Sequence, residues 1–330
     1  MSNTGSQQKV SVQIVTYNSA EHIVNCLEAV ISQSYPIAQI IVVDNASTDA
    51  TQSLLEQYKQ QALFLFNEHN VGFAPAHNQA LNHTIGDYCL VLNPDVILDC
   101  DYITNLMNGM ESDPQIGSTT GKLLLQSSPG LIDSTGLVIN KARRAFDRDA
   151  GQEDLEAEKI NAGLNEERVK IFGVSGAAAM YSRNMINHVS IDGQFFDEAF
   201  FAYKEDVDVA WRAQLYGWTS FYIPQALAYH ERGWKGSSRK SQPLFIRQHS
   251  YINRYRMILK NDRFSYIFRH CLYLIPFELA SLAFILFREP ALMGSWLSLF
   301  RDLPNIKRQR AEIKRKTKLL NVGSVYRFFQ

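Results

Sequence analysis

Four short apolar runs constrain this chain more than anything else in it: Val10–Thr16, Ile40–Val43, Leu63–Phe66 and Tyr88–Leu92. Each is rich in β-branched, aromatic or other apolar residues and is bounded by turn formers, the pattern of a buried strand. Helix-length segments separate them. Ser19 can cap the first, which Tyr35-Pro36 ends. A second follows the polar loop Asp44–Asp49 and runs to about Lys59. Phe73–Thr84 is the third, and Gly86 suits its C-cap. Strands alternating with helices predict an α/β fold, a mostly parallel sheet flanked by helices and suited to nucleotide binding. In such sheets ligands gather outside the carboxyl ends of the strands, so the polar residues there are the candidate site.

The fourth run ends in Asn93-Pro94-Asp95. Pro94 lacks an N–H and stops ladder pairing, which sets Asp95 just beyond the strand. A carboxylate there can hold a divalent cation, and a cation can hold a diphosphate. Thr16-Tyr17-Asn18 ends the first strand; it can meet a base or ribose, or simply start a helix. Asp44 and Asn45 end the second. Asp44 can accept from a pyrimidine N3–H, or close an Asx turn before a helix. Asn70-Val71-Gly72 follows the third strand and leads to Asn78, and Gly72 permits close backbone approach to a ligand. Neither a GxGxxG fingerprint nor a P-loop occurs, which weighs against dinucleotide oxidoreductases and P-loop NTPases.

Beyond these strands, Asp99–Met110 reads as a helix and Ile116–Leu125 as a strand. Residues 141–168 are polar and charge-dense, the composition of a mobile loop or lid or of a surface insertion. Apolar order returns at Val169–Met180. Phe195–Asp208 carries a second carboxylate cluster ahead of a helix, Glu205–Tyr216. The aromatic residues before Glu205-Asp206 could wall a sugar and raise a carboxylate pKa by desolvation. The plainer reading is that acidic residues favour a helix N-terminus, and that Asp208 and Arg212 form an i, i+4 pair worth about 0.2–0.5 kcal/mol. Strands follow at Thr219–Ile223 and Ala226–Tyr229. His230 ends the second, as a further metal ligand or diphosphate contact or as a structural histidine.

Charge is unevenly spread. Residues 301–330 hold nine Lys/Arg against two Asp/Glu, or +7, within a chain of formal net charge zero, so residues 1–300 carry −7. Ahead of this basic tail, and after a helical stretch Gln242–Lys260, lies the apolar stretch Tyr266–Phe287. It contains Arg269, His270, Pro276 and Glu278 and makes a poor membrane span. A helix lying in a membrane interface fits better, with Trp296 and the basic tail adding attraction to anionic lipid. A helical subdomain packing on the core or on a second subunit is the alternative. The four cysteines show no CxxC spacing and read as reduced, mostly buried thiols, and the polar N-terminus shows no signal peptide.

Taken in order, TYN, VVDNASTD, N-x-GFA-x-A-x-N, LNPD and FDE-x-FF-x-Y-x-ED-x-D with Arg212 four residues on resemble glycosyltransferase family 2, of GT-A fold, from about Val10 to Ser238. The subgroup most similar is the rhamnosyltransferase-like enzymes of bacterial surface polysaccharide synthesis. The resemblance implies a GT-A domain over 1–240, with a nucleotide-binding half (1–98) and an acceptor half (99–240), and a helical, membrane-peripheral extension over 241–330. It implies inverting transfer of a sugar, such as L-rhamnose from dTDP-L-rhamnose, to a hydroxyl of a glycan or lipid-linked glycan. Asp206 would be the base, with Glu205 beside it. Thr16, Tyr17, Asn18, Asp44, Asn45, Asn70, Gly72, Asn78 and Asn93 would bind the nucleotide sugar. Asp95, with His230, would hold Mg2+ or Mn2+. The family's metal motif has a first carboxylate where this chain has Asn93, a weaker neutral ligand. The implied place is the cytoplasmic face of the cell membrane, against its anionic surface, and a homodimer is compatible with it. A non-catalytic scaffold of a glycan-assembly complex is the rival reading. No nucleic-acid motif accompanies the basic tail, so a nucleic-acid partner is not expected.

Overall fold

The computed structural model describes residues 7–155, 168–232 and 242–330. β1 (Val10–Thr16), β2 (Ile37–Asp44), β3 (Leu63–Phe66) and β4 (Tyr88–Leu92) fall on the four apolar runs and lie parallel in the order β3-β2-β1-β4. Their register sets Thr16 beside Asp44 and Ile14 beside Leu92, so the carboxyl ends of the strands form one rim. The crossovers are α1 (Ile23–Ile31), α2 (Thr51–Leu55) and α3 (Phe73–His83). α1 buries Ile23, Cys26, Leu27 and Val30, an i, i+3, i+4, i+7 stripe that packs on Val12 and Ile14. The helix expected to reach Lys59 continues past α2 only as a 3-10 turn, Glu56–Tyr58.

The second half adds β5 (Val96–Leu98), α4 (Tyr102–Met110), β6 (Ile116–Leu125), β7 (Ser128–Ser134), β8 (Leu137–Ile139), β9 (Ala145–Asp147), β10 (Val169–Ile171), β11 (Ala178–Ser182), α5 (Arg183–Val189), α6 (Glu205–Leu215) and β12 (Thr219–His230). β11 runs antiparallel between β4 and β6 and joins the halves into one sheet, β10-β12-β6-β11-β4-β1-β2-β3. The two strands expected at Thr219–Ile223 and Ala226–Tyr229 are one strand, with a register shift against β6 between Tyr222 and Leu227. Pro224 lies inside that shift and has no N–H for the ladder. The end of β12 turns antiparallel to β5 and sets His230 opposite Val96, next to Asp95.

The segment expected as a mobile loop, 141–168, is tied into the fold over its first part. β9 pairs with β8, and Arg143 is fully buried with its Nε 2.8 Å from Asp262 Oδ2. A buried guanidinium with a carboxylate partner anchors a chain, and composition alone does not reveal it. Residues 156–167 and 233–241 lie outside the described residues.

The C-terminal region is helical: α7 (Leu244–Asn261), α8 (Phe264–Arg269), α9 (Cys271–Arg288) and α10 (Ser295–Lys316). These helices share a core with the sheet. Met257, Ile313, Val325, Tyr326 and Phe329 belong to the same apolar cluster as Trp211, and the Trp211 and Phe329 rings meet edge to face at 5.1 Å. Gln330 donates its N–H to Ile139 O, and Lys141 donates to Gln330 O. α9 is different. Only Leu274 and Ile285 are buried in it, while Leu272, Ile275, Leu279 and Phe287 are mostly exposed. Among the described residues it is the one helix long and apolar enough to cross a membrane.

Candidate active site

The rim of strand ends opens into a cavity of about 550 Å3, a size suited to a small organic ligand. Thr16 and Tyr17 come to it from the end of β1, Asn45 from the end of β2, and Asn70 and Gly72 from the turn before α3. Asn93, Pro94 and Asp95 enter between β4 and β5. Asp147 of β9, Tyr203–Asp206 at the start of α6, and His230 and Arg232 at the end of β12 complete the wall.

A chain of charges runs along one side. His230 Nε2 stands 3.3 Å from Asp95 Oδ1, and His230 Nδ1 is 2.7 Å from Asp133 Oδ2. Arg232 bridges Asp133, at 2.5 Å, and Asp147, at 2.6 Å. Burial works against a charged imidazole, but the hydrogen bond to Asp133 and the two carboxylate charges outweigh it and lift the His230 pKa to about 9. Asp95 Oδ1 is buried, and His230 Nε2, at 3.3 Å, faces it without good hydrogen-bond geometry. A divalent cation seated there would replace the Nε2 proton, leaving the imidazole held at Nδ1 by Asp133 and Asp95 as a carboxylate ligand. Asn93 adds a carboxamide to the same wall.

Opposite stands the Glu205-Asp206 pair. The chain reaches it through a strained path: Phe201, Tyr203 and Lys204 all have positive φ, at 59°, 71° and 71°. Such conformations cost about 1–3 kcal/mol each and persist where the surroundings over-determine them. Gly72 is part of that support. Its φ is +97°, and a Cβ there would lie 2.6 Å from the Phe201 carbonyl oxygen and ring, so only glycine fits. Asp206 Oδ2 accepts the Gly176 N–H at 3.2 Å and Oδ1 accepts the Val207 N–H at 2.7 Å. Burial nevertheless raises its pKa above the ordinary carboxylate range.

Glu205 is held up to about 8, by burial first and then by the Asp206 charge. Its Oε2 is buried without a partner. A carboxyl whose folded pKa lies above its unfolded value is destabilising once ionised, so stability is lost as pH rises from about 4.5 through about 8. Glu205→Gln should therefore stabilise the protein by roughly 1–3 kcal/mol above that window and change little below it. Urea denaturation at both ends of the range checks this; equal effects at the two ends would refute it.

The sequence model of Glycosyl transferase family 2 matches residues 11–189, more than half of the chain. The chain belongs to glycosyltransferase family 2. A second model, Glycosyl transferase family group 2, matches residues 163–301. The chain is 21% identical over 227 residues to the poly-beta-1,6-N-acetyl-D-glucosamine synthase of Staphylococcus epidermidis, covering 67% of this chain and 49% of that protein. This glycosyltransferase thus spans about half the length of that relative. Among solved structures it resembles S. aureus TarS 1–349 in complex with UDP-GlcNAc, at TM-score 0.57 and 16% identity over 97% of this chain and 91% of that one. A mannosyltransferase from Pyrobaculum calidifontis in complex with GDP-Man and Mn2+ gives 0.55 and 18%, over 96% and 88%. These likenesses carry the GT-A fold.

Within this glycosyltransferase, the cavity gathers Thr16, Tyr17, Asn45, Asn70, Gly72, Asn93, Asp95, Glu205, Asp206 and His230. Three expected residues do not line it. Asn78 is buried on α3, where it donates to Phe196 O at 2.8 Å and accepts the Phe196 N–H, so it pins the 195–200 segment instead. Asp44 is fully buried and accepts from Ser47 N–H, Ser47 Oγ and Gln52 Nε2, the Asx-turn alternative. Asn18 accepts the Thr48 N–H at 2.8 Å and braces the same turn. Asp133, Asp147 and Arg232 are site residues the sequence reading missed. Asp133 sits in an edge strand and Asp147 in a charge-dense stretch, and neither carries a local signal.

Proposed function

We propose that this glycosyltransferase moves a hexose from a nucleoside diphosphate sugar to a hydroxyl of a glycan, with inversion at the anomeric carbon. The observation that carries the reading is that Asp206 shares one cavity with the Asp95–His230 pair. Asp206 takes the acceptor proton as the hydroxyl attacks, and burial raises its pKa, which makes it a stronger base than an exposed aspartate. The backbone N–H groups of Gly176 and Val207 hold its carboxylate in one orientation. Asn45 donates to Gly72 O and Asn70 Oδ1 accepts the Gly72 N–H, so the two residues shape the turn at the strand ends and leave the Asn70 amide N–H to meet the nucleoside. Asp95 and His230 would hold a divalent cation, which offsets charge on the leaving diphosphate. Asp133 fixes the His230 tautomer so that Nε2 faces Asp95. The Mn2+ in the mannosyltransferase complex supports a metal of this kind.

The motif resemblance favours a deoxyhexose donor such as dTDP-L-rhamnose, in assembly of a cell-surface polysaccharide. The named relatives use or make N-acetylglucosamine and mannose compounds, so the donor is the point to test. A panel of nucleotide sugars should be scored by thermal shift with and without Mn2+; one donor should stand out by a metal-dependent rise in melting temperature. Asp95→Ala should abolish the metal-dependent part of that rise and leave the fold intact. A panel with no metal-dependent response, or an unchanged response in Asp95→Ala, would sink the reading.

The same reading sets the enzyme on the cytoplasmic face of a membrane. α9 exposes a row of large apolar side chains, and Phe264 on the adjoining α8 lies beneath the α10 cations Arg310 and Lys314, at 4.9 and 5.8 Å. Apolar surface beside clustered cations suits an anionic bilayer. Truncation is a poor test, because α10 and the residues after it fill the core. Leu272→Ser with Phe287→Ser, both exposed, should abolish sedimentation with phosphatidylglycerol vesicles while leaving the melting temperature unchanged. Undiminished sedimentation would refute membrane docking through α9.

A further inference from the structure

A second hollow, of about 430 Å3, opens beside the active-site cavity and shares Ala145, Phe146, Lys204 and Ser250 with it. Thr16, Asn45 and Asp95, at the donor end, do not line it. Its walls are of two kinds. One side is cationic: Arg144, Lys204 and Arg254. The other is α9, which presents Phe277, Ala280 and Phe284. Among the described residues, no acidic side chain lines it.

The cations are under-compensated. Arg254 is buried, yet its Nη1 has no hydrogen-bond partner. Its Nη2 is 2.7 Å from Glu278 Oε1 and 2.5 Å from Ala142 O, and its Nε donates to Arg143 O at 3.2 Å. Arg144 stacks on Phe146 and Phe277, at 4.7 and 5.3 Å from the ring centroids, with no carboxylate in ion-pair range among the described residues. Lys204 also lacks an ion-pair partner among them. Burial presses its ammonium pKa down, and the nearby Arg254 and Arg144 add to that while Asp206 and Glu205 oppose it. An isolated buried guanidinium N–H is costly, and three like charges around one hollow repel. An anion relieves both, and a guanidinium with a free N–H suits a phosphate oxygen.

We infer that this hollow binds the phosphate of a lipid-linked acceptor, with the hydrocarbon chain lying along α9 and the sugar directed to Asp206. The inference rests on the transfer reading above and names its acceptor. Three features fix the occupant as a phosphate with an apolar tail. The hollow joins the cavity at Lys204, two residues from Asp206. Its cations face α9, whose lining residues are apolar apart from Ser281. That wall belongs to the helix whose remaining apolar residues are exposed.

The test uses the whole chain and phosphatidylcholine vesicles doped with hexadecyl phosphate, against vesicles of matched charge made with phosphatidylserine. The protein should prefer the alkyl phosphate by about fivefold or more, the scale of one extra cation contact. Arg144→Glu, at an exposed position, should abolish the preference. Ala280→Trp fills the hollow without changing charge and should abolish it too, while phosphatidylserine binding persists. Equal binding to the two vesicles, or a preference that survives both substitutions, would overturn the inference. So would loss of the preference when inorganic phosphate is added at equal concentration, since the tail would then contribute nothing. Thermal shift with UDP and Mn2+ on the same samples separates the two readings. Nucleotide binding without the phosphate preference overturns only the acceptor inference. Absence of nucleotide binding overturns the transfer reading itself.

Discussion

Asp206→Asn should bind the donor as the native protein does and transfer sugar about 10²–10⁴-fold more slowly. The amide keeps the size of the carboxylate and can still accept the Val207 N–H, so the start of α6 should hold its shape. What it loses is the ability to take a proton. Glu205 is the control. It is adjacent and its pKa is raised to about 8, so Glu205→Gln separates a base from a neighbour that tunes it. Single-turnover transfer and donor calorimetry on both variants decide the matter. Near-native turnover by Asp206→Asn would remove the base assignment, and a collapse confined to Glu205→Gln would move it one residue.

Asp208→Ala should cost about 3–5 kcal/mol of stability, because it strips one carboxylate from two buried cations. Asp208 is fully buried. Its Oδ2 is 3.0 Å from Arg212 Nε and 2.8 Å from Lys260 Nζ, and its Oδ1 accepts from Asn261 Nδ2 at 2.7 Å. Lys260 reaches on to Asp197 at 2.5 Å. The cluster binds α6, which carries Asp206, the proposed base, to α7 and to the Asp197 segment. As a surface i, i+4 pair the same two residues would be worth about a tenth of this. Urea denaturation gives the number directly. A loss below about 1 kcal/mol would show that water reaches the cluster in solution.

That contrast shows where the sequence was informative. Spacing located Asp208 and Arg212 on one helix face, but which face is buried depends on α7, almost fifty residues away, and no local pattern encodes it. The four parallel strands β1–β4 were legible because each is a bounded apolar run, and Asp95 because a proline marks the strand end, whereas β5 and β7–β9 carry no apolar run of that length. Asn78 was misplaced for the opposite reason. It shares α3 with the site-facing turn, and its inward direction is set by Phe196, more than a hundred residues later. Asp133 became a site residue through His230 and Arg232, and Asp147 through Arg232, all pairings made from the far end of β12. The burial of Arg143 likewise needs Asp262 from another element. Local chemistry was readable, and the pairings made at long range were not.

The antiparallel seam between β5 and β12 carries a consequence for biogenesis. Asp95 gains His230 only when the last strand of the sheet docks against β5. On the ribosome, the first four strands emerge long before that residue. A nascent chain can therefore shape the β1–β4 side of its pocket early, while the proposed cation site must wait for the closing strand. Metal binding at the proposed Asp95–His230 site should await the emergence and docking of β12, and a stalled chain ending before β12 should bind no metal there.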